Sequence, residues 1–309
     1  MARPLRIVPP AAVVEVTART VGSRFLLRPG PTTNVLVLGV IGRAQHLYGV
    51  RIFALTVMSN HIHALLGVDH AAQLAGFMQH VLANIAKEVG RHHRWQGPFW
   101  SRRYRSIVVA DGESQAARLR YVLCQGLREG LIDRAERWPG ASTTAALMRG
   151  TPLHGVWFDR TAEFEARRRG TRPDPRRTEH VYQVRLSRLP AFAHRSTSDY
   201  RVFVRELVQQ HERDVSTERL ADGKATVLGV RRILEQDPHA APSHSDRSPA
   251  PLVHAASRAV RQAFRSAYAA FVDAFRAAAS SLRQGRKADF PEGSFPPSLP
   301  FVVPSLATA

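Results

Sequence analysis

The stretch Leu55-Thr56-Val57-Met58-Ser59-Asn60-His61-Ile62-His63-Ala64-Leu65-Leu66 admits few folds. An apolar run enters it, a short polar pair breaks it and a second apolar run leaves it, the pattern of two strands joined by a tight turn. Side chains alternate faces along a strand, so His61 and His63 emerge on one side while Ile62 enters a core. Two imidazoles side by side on a sheet can hold a metal ion, and equally can be two ordinary histidines on a wet face. Residues further along the chain decide between these.

Apolar and polar residues alternate over 11–20, which predicts a first strand, and a Pro/Gly-rich connection over 22–32 leads to helical spacing over 34–47. Strands are expected over 48–57 and 61–68, joined at Met58-Ser59-Asn60. The clearest helix spans 71–93, where Leu74, Phe77, Met78, Val81, Leu82, Ile85, Ala86 and Val89 repeat at helical spacing and His92 and His93 close the last turn, favoured there by the helix dipole. A strand over 103–109 and a single helix over 113–131 complete a β-α-β-β-α-β-α order. That order describes an α+β fold: a ferredoxin-like antiparallel sheet with helices packed on it. The first domain is placed at 1–150.

Beyond residue 150 the character changes to a basic, mainly α-helical C-terminal extension over 151–309. Residues 164–180 read as a basic, breaker-rich, mobile linker, and 237–251 as a second linker rich in Pro, Ser and His. Helices are expected over 199–212 and 252–282, and a Pro-rich tail runs from Pro291.

The net charge is +19, and of the 44 basic residues only Lys87, Lys224 and Lys287 are lysine. Arginine suits bidentate contacts with phosphate, so the expected partner is a polyanion, with nucleic acid first. The single cysteine, Cys124, leaves no intramolecular disulfide and no cysteine-rich zinc site, which fits a reducing cytoplasm. The first residues lack the apolar core of a signal peptide, and no apolar run is long enough for a membrane span. The expected location is therefore cytoplasmic, on the nucleoid when bound to DNA.

Within the expected helix over 113–131, Tyr121 and Gln125 stand at i and i+4, on a face shared with Arg118 and Arg128. A phenol, an amide and two guanidinium groups are thus grouped. Without further context they also describe a boundary tyrosine flanked by solvated arginines.

Three segments in order carry a family resemblance. Met58-Ser59-Asn60-His61-Ile62-His63 resembles the His-hydrophobe-His (HUH) motif of single-tyrosine transposases. Gly97-Pro98-Phe99-Trp100-Ser101-Arg102-Arg103-Tyr104 is similar to their Gly-x-x-Trp-x-x-Arg-Tyr segment, and Tyr121 through Ile132 resembles their Tyr-(Ile/Val)-x-x-Asn-Pro-Val-Arg-x-Gly-Leu-Val helix. The opening Met1-Ala-Arg-Pro-Leu-Arg-Ile also looks like the start of many members. The best-matched branch is the REP-associated tyrosine transposases, with an IS200-like domain, over roughly residues 1–135.

The resemblance implies a HUH endonuclease core in which His61 and His63 are metal ligands, Gln125 holds the position of a third ligand, and Tyr121 is the nucleophile. It implies Mg²⁺ or Mn²⁺, which suit imidazole and amide oxygen with open positions for phosphate. The implied activity is cleavage of single-stranded DNA near hairpins through a 5′-phosphotyrosine, followed by rejoining. Arg102, Arg103, Arg105, Arg118, Arg128 and Trp100 are the expected DNA contacts, Trp100 being also a natural core anchor. The family's Asn-Pro pair is Gln125-Gly126 here; glutamine still offers an oxygen, but the backbone departs. Tyr104, between Arg103 and Arg105, is a rival nucleophile.

Other classes stay open. An amidohydrolase also begins with His-x-His but needs further ligands around an eight-fold βα barrel. A plasmid-type replication initiator commonly places Lys where Gln125 stands. A catalytically inactive, domesticated DNA-binding descendant would keep the fold alone. The oligomeric state is expected to be monomer or homodimer.

Overall fold

The computed structural model describes residues 4–224, 226–243 and 250–295. Its first half runs β1 (Ala12–Arg19), α1 (Pro31–Tyr48), β2 (Arg51–Val57), β3 (His61–Val68), α2 (Ala71–His92), β4 (Arg105–Val109), α3 (Gly112–Leu123), α4 (Gln125–Arg128) and α5 (Thr144–Arg149). The extension adds β5 (Leu153–Phe158), α6 (Arg160–Arg168), α7 (Pro175–Thr178), β6 (Glu179–Val184), α8 (Thr197–Ala221), α9 (Val230–Leu234), β7 (Val253–His254) and α10 (Arg258–Arg283). No helix among the described residues is long and apolar enough to cross a membrane.

Local chemistry sets the element ends. Pro31 opens α1, where its missing N–H costs nothing, and Gly49 closes it with φ of 65°. The His70 ring accepts from the Gln73 amide at the start of α2, and Asp111 accepts from the Ser114 amide at the start of α3.

The strand order is β2-β3-β1-β4-β7, and β1 is antiparallel to both β3 and β4. The β-α-β-β-α-β order and the four antiparallel strands expected from the sequence are thus present. Strand alternation splits the apolar residues between two cores. Val14, Val16 and Ala18 join Ile62, Ala64 and Leu66 under α1 and α2. Val13 and Leu65 face the other way, toward Leu119, Val122 and Leu123 of α3 and Tyr200, Val204 and Val208 of α8. The helices of the extension thus cover the sheet's second face.

Four expectations need correction. The helix expected over 113–131 breaks at Cys124, where φ is −104° and ψ 17°. Gly126 packs closely on the Ile132 and Trp138 side chains, and the Gly126 carbonyl accepts from the Leu131 and Ile132 amides, so the chain turns back there. Segment 164–180 is ordered: it holds the end of α6, all of α7 and the start of β6. β5 and β6 pair as a two-stranded sheet on α1, where Gly39 and Gly155 let the backbones touch, and Arg160 forms a fork on the buried Glu88 of α2. The helix expected from 252 begins only at Arg258, because Val253 and His254 add a fifth strand to the sheet. That strand runs parallel to β4, so the sheet is not wholly antiparallel. Of the expected linker 237–251, residues 244–249 lie outside the described residues, as does the Pro-rich tail from 296 onward.

Candidate active site

In an antiparallel ladder, directly paired residues share a face. β1 pairs with β3 so that Thr17 lies opposite His63 and Arg19 opposite His61, and β1 pairs with β4 so that Thr17 lies opposite Arg105. Glu15, Thr17, Arg19, His61, His63 and Arg105 therefore line one side of the sheet. α3 lies over this side and brings Tyr121 down onto it, with the Tyr121 and His63 rings 5.3 Å apart and the His61 and His63 rings 4.9 Å apart.

Both histidines are buried, and their outer nitrogens are held from behind. Asn60 Nδ2 donates to the Ser23 carbonyl, so its amide oxygen faces His61 Nδ1 at 2.6 Å. An amide oxygen only accepts, so His61 carries its proton on Nδ1 and presents a bare lone pair on Nε2. That Nε2 is buried with no hydrogen-bond partner among the described residues. Burial, then the neighbouring His63 and Arg19, push the His61 pKa well below the ordinary histidine value, so the ring is neutral.

His63 Nδ1 lies 3.2 Å from Thr17 Oγ1 and 3.3 Å from Glu15 Oε1. A lone pair facing a carboxylate is repelled, so a proton sits on Nδ1 here too. Glu15 is itself buried beneath the helix. Its carboxylate meets Arg118 Nε at 2.7 Å, Arg118 Nη2 at 3.1 Å and His254 Nε2 at 2.9 Å. Burial alone would raise the Glu15 pKa, but the contacts with His254, His63 and Arg118 overturn it and hold the carboxyl far below the usual carboxylate range. Arg118, so anchored, lays its guanidinium over the Tyr121 ring at 3.8 Å, and Arg128 lies 5.4 Å from the same ring.

The expected site residues fall into three groups. His61, His63, Tyr121, Arg118 and Arg128 are brought together. Gln125 is buried just past the helix break, its Nε2 donating to Glu129 at 3.1 Å and its Oε1 without a hydrogen-bond partner among the described residues. None of its hydrogen bonds reaches the histidines. Among the described residues no three His, Cys, Asp or Glu side chains form a cluster suited to a metal. Arg105 lies on the face that carries the histidine pair, whereas Arg102 and Arg103 are exposed in the turn before β4. Trp100 is half-buried against the first core and donates to the Leu82 carbonyl at 2.8 Å. Tyr104 is buried in that same core, and burial pushes its phenol pKa up despite Arg6 beside it.

Sequence reasoning missed Glu15, Arg19 and His254. One signal for Glu15 was available: a lone carboxylate inside the apolar run Val13-Val14-Glu15-Val16. No local signal marked His254. The extension also reaches the turn that carries the histidines, where Ser59 Oγ donates to Gln236 Oε1 at 2.7 Å and the Leu27 amide donates to the Ser59 carbonyl at 2.9 Å.

Residues 33–125 match the family model described as Transposase IS200 like, a span that includes His61, His63, Tyr121 and Gln125 but neither Glu15 nor His254. The recognition drawn from the three motifs is thereby borne out over that span. No curated protein matches the chain. Among solved structures, one described as the REP-associated tyrosine transposase bound to a REP hairpin is 16% identical, with a TM-score of 0.39 over 48% of this chain and 87% of that one. A protein of Deinococcus radiodurans described as a candidate transposase is 18% identical, with a TM-score of 0.29 over 36% of this chain and 87% of that one.

Proposed function

We propose that this chain, which carries an IS200-like transposase segment, is a metal-dependent endonuclease and strand transferase acting on single-stranded DNA beside hairpins. The observation that carries the proposal is the approach of the Tyr121 ring to within 5.3 Å of His63 on the face that also holds His61. The donors fit a divalent cation: two buried imidazoles with their Nδ1 atoms engaged, and two buried acceptors, His61 Nε2 and Gln125 Oε1, with no partner among the described residues. His61 and His63, with Gln125 as the third donor, are the residues that would hold Mg²⁺ or Mn²⁺, whose chemistry there is to polarise the scissile phosphate.

Tyr121 Oη attacks phosphorus, forming a Tyr–O–P bond while the P–O3′ bond breaks. The phenol proton leaves to solvent and the departing 3′ oxygen takes one up, so one 3′-hydroxyl is released and the 5′ end stays on the enzyme. Arg118 faces the negative charge that develops on the ring as this proton leaves. A phosphodiester is exchanged for a phosphodiester, so a second 3′-hydroxyl can reverse the step and join strands without ATP. Arg19 and Arg105, on the same face, are placed to hold backbone phosphates. Tyr104, buried in the opposite core, is not placed for attack.

One observation favours an inactive DNA-binding descendant: Gln125 is engaged with Glu129, and no cluster of three His, Cys, Asp or Glu surrounds the histidine pair among the described residues. A single experiment separates the two. The protein is incubated with a hairpin-flanked single strand in Mn²⁺ and resolved on a denaturing gel. A covalent adduct that Tyr121→Phe abolishes and Tyr104→Phe keeps supports the transferase. Binding in a gel shift with no adduct supports the descendant.

A further inference from the structure

The match to the transposase family ends at residue 125, yet the catalytic face is finished by a residue far beyond it. β7 docks on β4 with Val108 opposite Val253 and Val109 opposite His254. The Ala110 amide donates to the His254 carbonyl at 2.9 Å, and the Asp111 carboxylate accepts from the Ala256 and Ser257 amides. The backbone of His254 is thus held from both sides, and its side chain is only 15% exposed.

The Glu15 carboxylate sits among three groups. Arg118 spans both oxygens, His254 Nε2 lies against Oε2 and His63 Nδ1 against Oε1. A carboxylate on a glutamate stem rotates about its last torsion with little cost. Arg118 and His254 together limit that rotation, His254 from the side of Oε2, and so limit where Oε1 stands relative to His63. Since a ring nitrogen oriented by a carboxylate presents its opposite nitrogen in a set direction, the orientation passes to His63 Nε2.

We propose that His254 is a positioning residue of the active site: through Glu15 it sets the direction in which His63 presents Nε2. Strand β1 and the extension thereby complete, from outside the matched segment, a site whose donors lie inside it. This rests on the assignment of His61 and His63 as metal donors. The effect is on orientation, since His254 does not touch the histidine pair. Removal of supporting partners of metal-bound histidines elsewhere weakens metal affinity about 10–100-fold.

The test uses the full chain and Mn²⁺, with free Mn²⁺ followed by its electron paramagnetic resonance signal. His254→Leu fills the space without a donor, and His254→Gln keeps an N–H. Binding about tenfold weaker in the leucine variant and within about threefold of wild type in the glutamine variant is the expected result. Long-range ¹H–¹⁵N spectra should also show the single Nδ1–H tautomer of His63 in wild type and in His254→Gln, and a tautomer mixture in His254→Leu, without any metal present. Wild-type affinity in both variants, or equal loss in both, overturns the positioning role. Mn²⁺ binding that survives His61→Ala with His63→Ala in the parent protein overturns the metal assignment instead, and the tautomer spectra then judge His254 alone.

Discussion

The guanidinium of Arg118 lies 3.8 Å from the centre of the Tyr121 ring while the same group pairs with Glu15, so one side chain joins the buried carboxylate of β1 to the tyrosine of α3. The pair are one turn apart on the helix, and the sheet beneath supplies the anion. Arg118 was expected from the sequence as a DNA contact. Its tip is turned inward, and its charge serves the site from within the protein.

Arg118→Ala leaves Glu15 buried with fewer partners, and removing one member of such a pair costs about 3 kcal/mol. Adding Glu15→Gln removes the uncompensated charge and should recover part of that loss. Chemical denaturation of the two single variants and the double variant measures the coupling. Adduct formation should stay low in the double variant, because the guanidinium over Tyr121 is still missing. Additive stability losses would show that the two residues do not act as a unit.

Gly39 of α1 and Gly155 of β5 cross so closely that a Cβ on either would overlap backbone of the other element. Backbone cannot move aside as a flexible side chain does, so Gly39→Ala or Gly155→Ala should cost about 3 kcal/mol, the upper end for overpacking. In a chain of this size that lowers the melting temperature by about 5 °C. Adduct formation at low temperature should be spared, since the crossing lies on the α1 side of the sheet. A melting curve unchanged by both substitutions would mean that the hairpin of β5 and β6 does not rest on α1.

His93 ends α2 beside the strap formed by residues 234–240, and His239 Nε2 lies 2.8 Å from the His93 carbonyl. Burial, followed by the charges of His92, Arg28 and His239, lowers the His93 pKa from 6.5 to about 4. Between those values the unfolded chain binds more protons, so stability rises with pH through this window. It is fully present above about 6.5 and falls as the pH drops toward 4. Melting temperatures across this range should slope less in His93→Gln than in wild type. Parallel slopes would assign the acid sensitivity elsewhere.

Arg258, Arg265, Arg276 and Arg283 are all exposed on α10 and, at 3.6 residues per turn, fall along one stripe of the helix. By contrast, Arg167 and Arg169 of the basic segment 164–180 are committed to Glu163 and Glu165. Changing the four α10 arginines to glutamine should flatten the plot of log K against log salt by about 3.6 units for duplex stems, near 0.9 for each phosphate no longer neutralised. An unchanged slope would place the stem on another surface.

Much of the sheet was legible because its signals are local. The turn at Met58-Ser59-Asn60 and the alternation on either side place β3 at His61–Val68, and the apolar repeat places α2 at Ala71–His92. Tyr121 was legible as a helix residue, but the break at Cys124 was not, since it depends on Gly126 meeting Ile132 and Trp138. The two residues of β7 resemble the start of the Ala-rich helix that comes after them. They become a strand only because β4 offers an open edge. Glu15 stood out as a charge in an apolar strand, but its meaning lies in His63, Arg118 and His254, which no window along the chain contains.

The contact between Glu15 and His254 also sets an order of events in synthesis. β1 is made early, and domains generally fold as the chain emerges from its N-terminal end. Until residue 254 has left the ribosome, Glu15 has only His63 and Arg118 beside it, and the edge of β4 stands bare. A nascent chain therefore carries the whole IS200-like segment before it carries a finished site. The histidine pair and Tyr121 would thus be assembled on the sheet before the strand that steadies Glu15 has joined it.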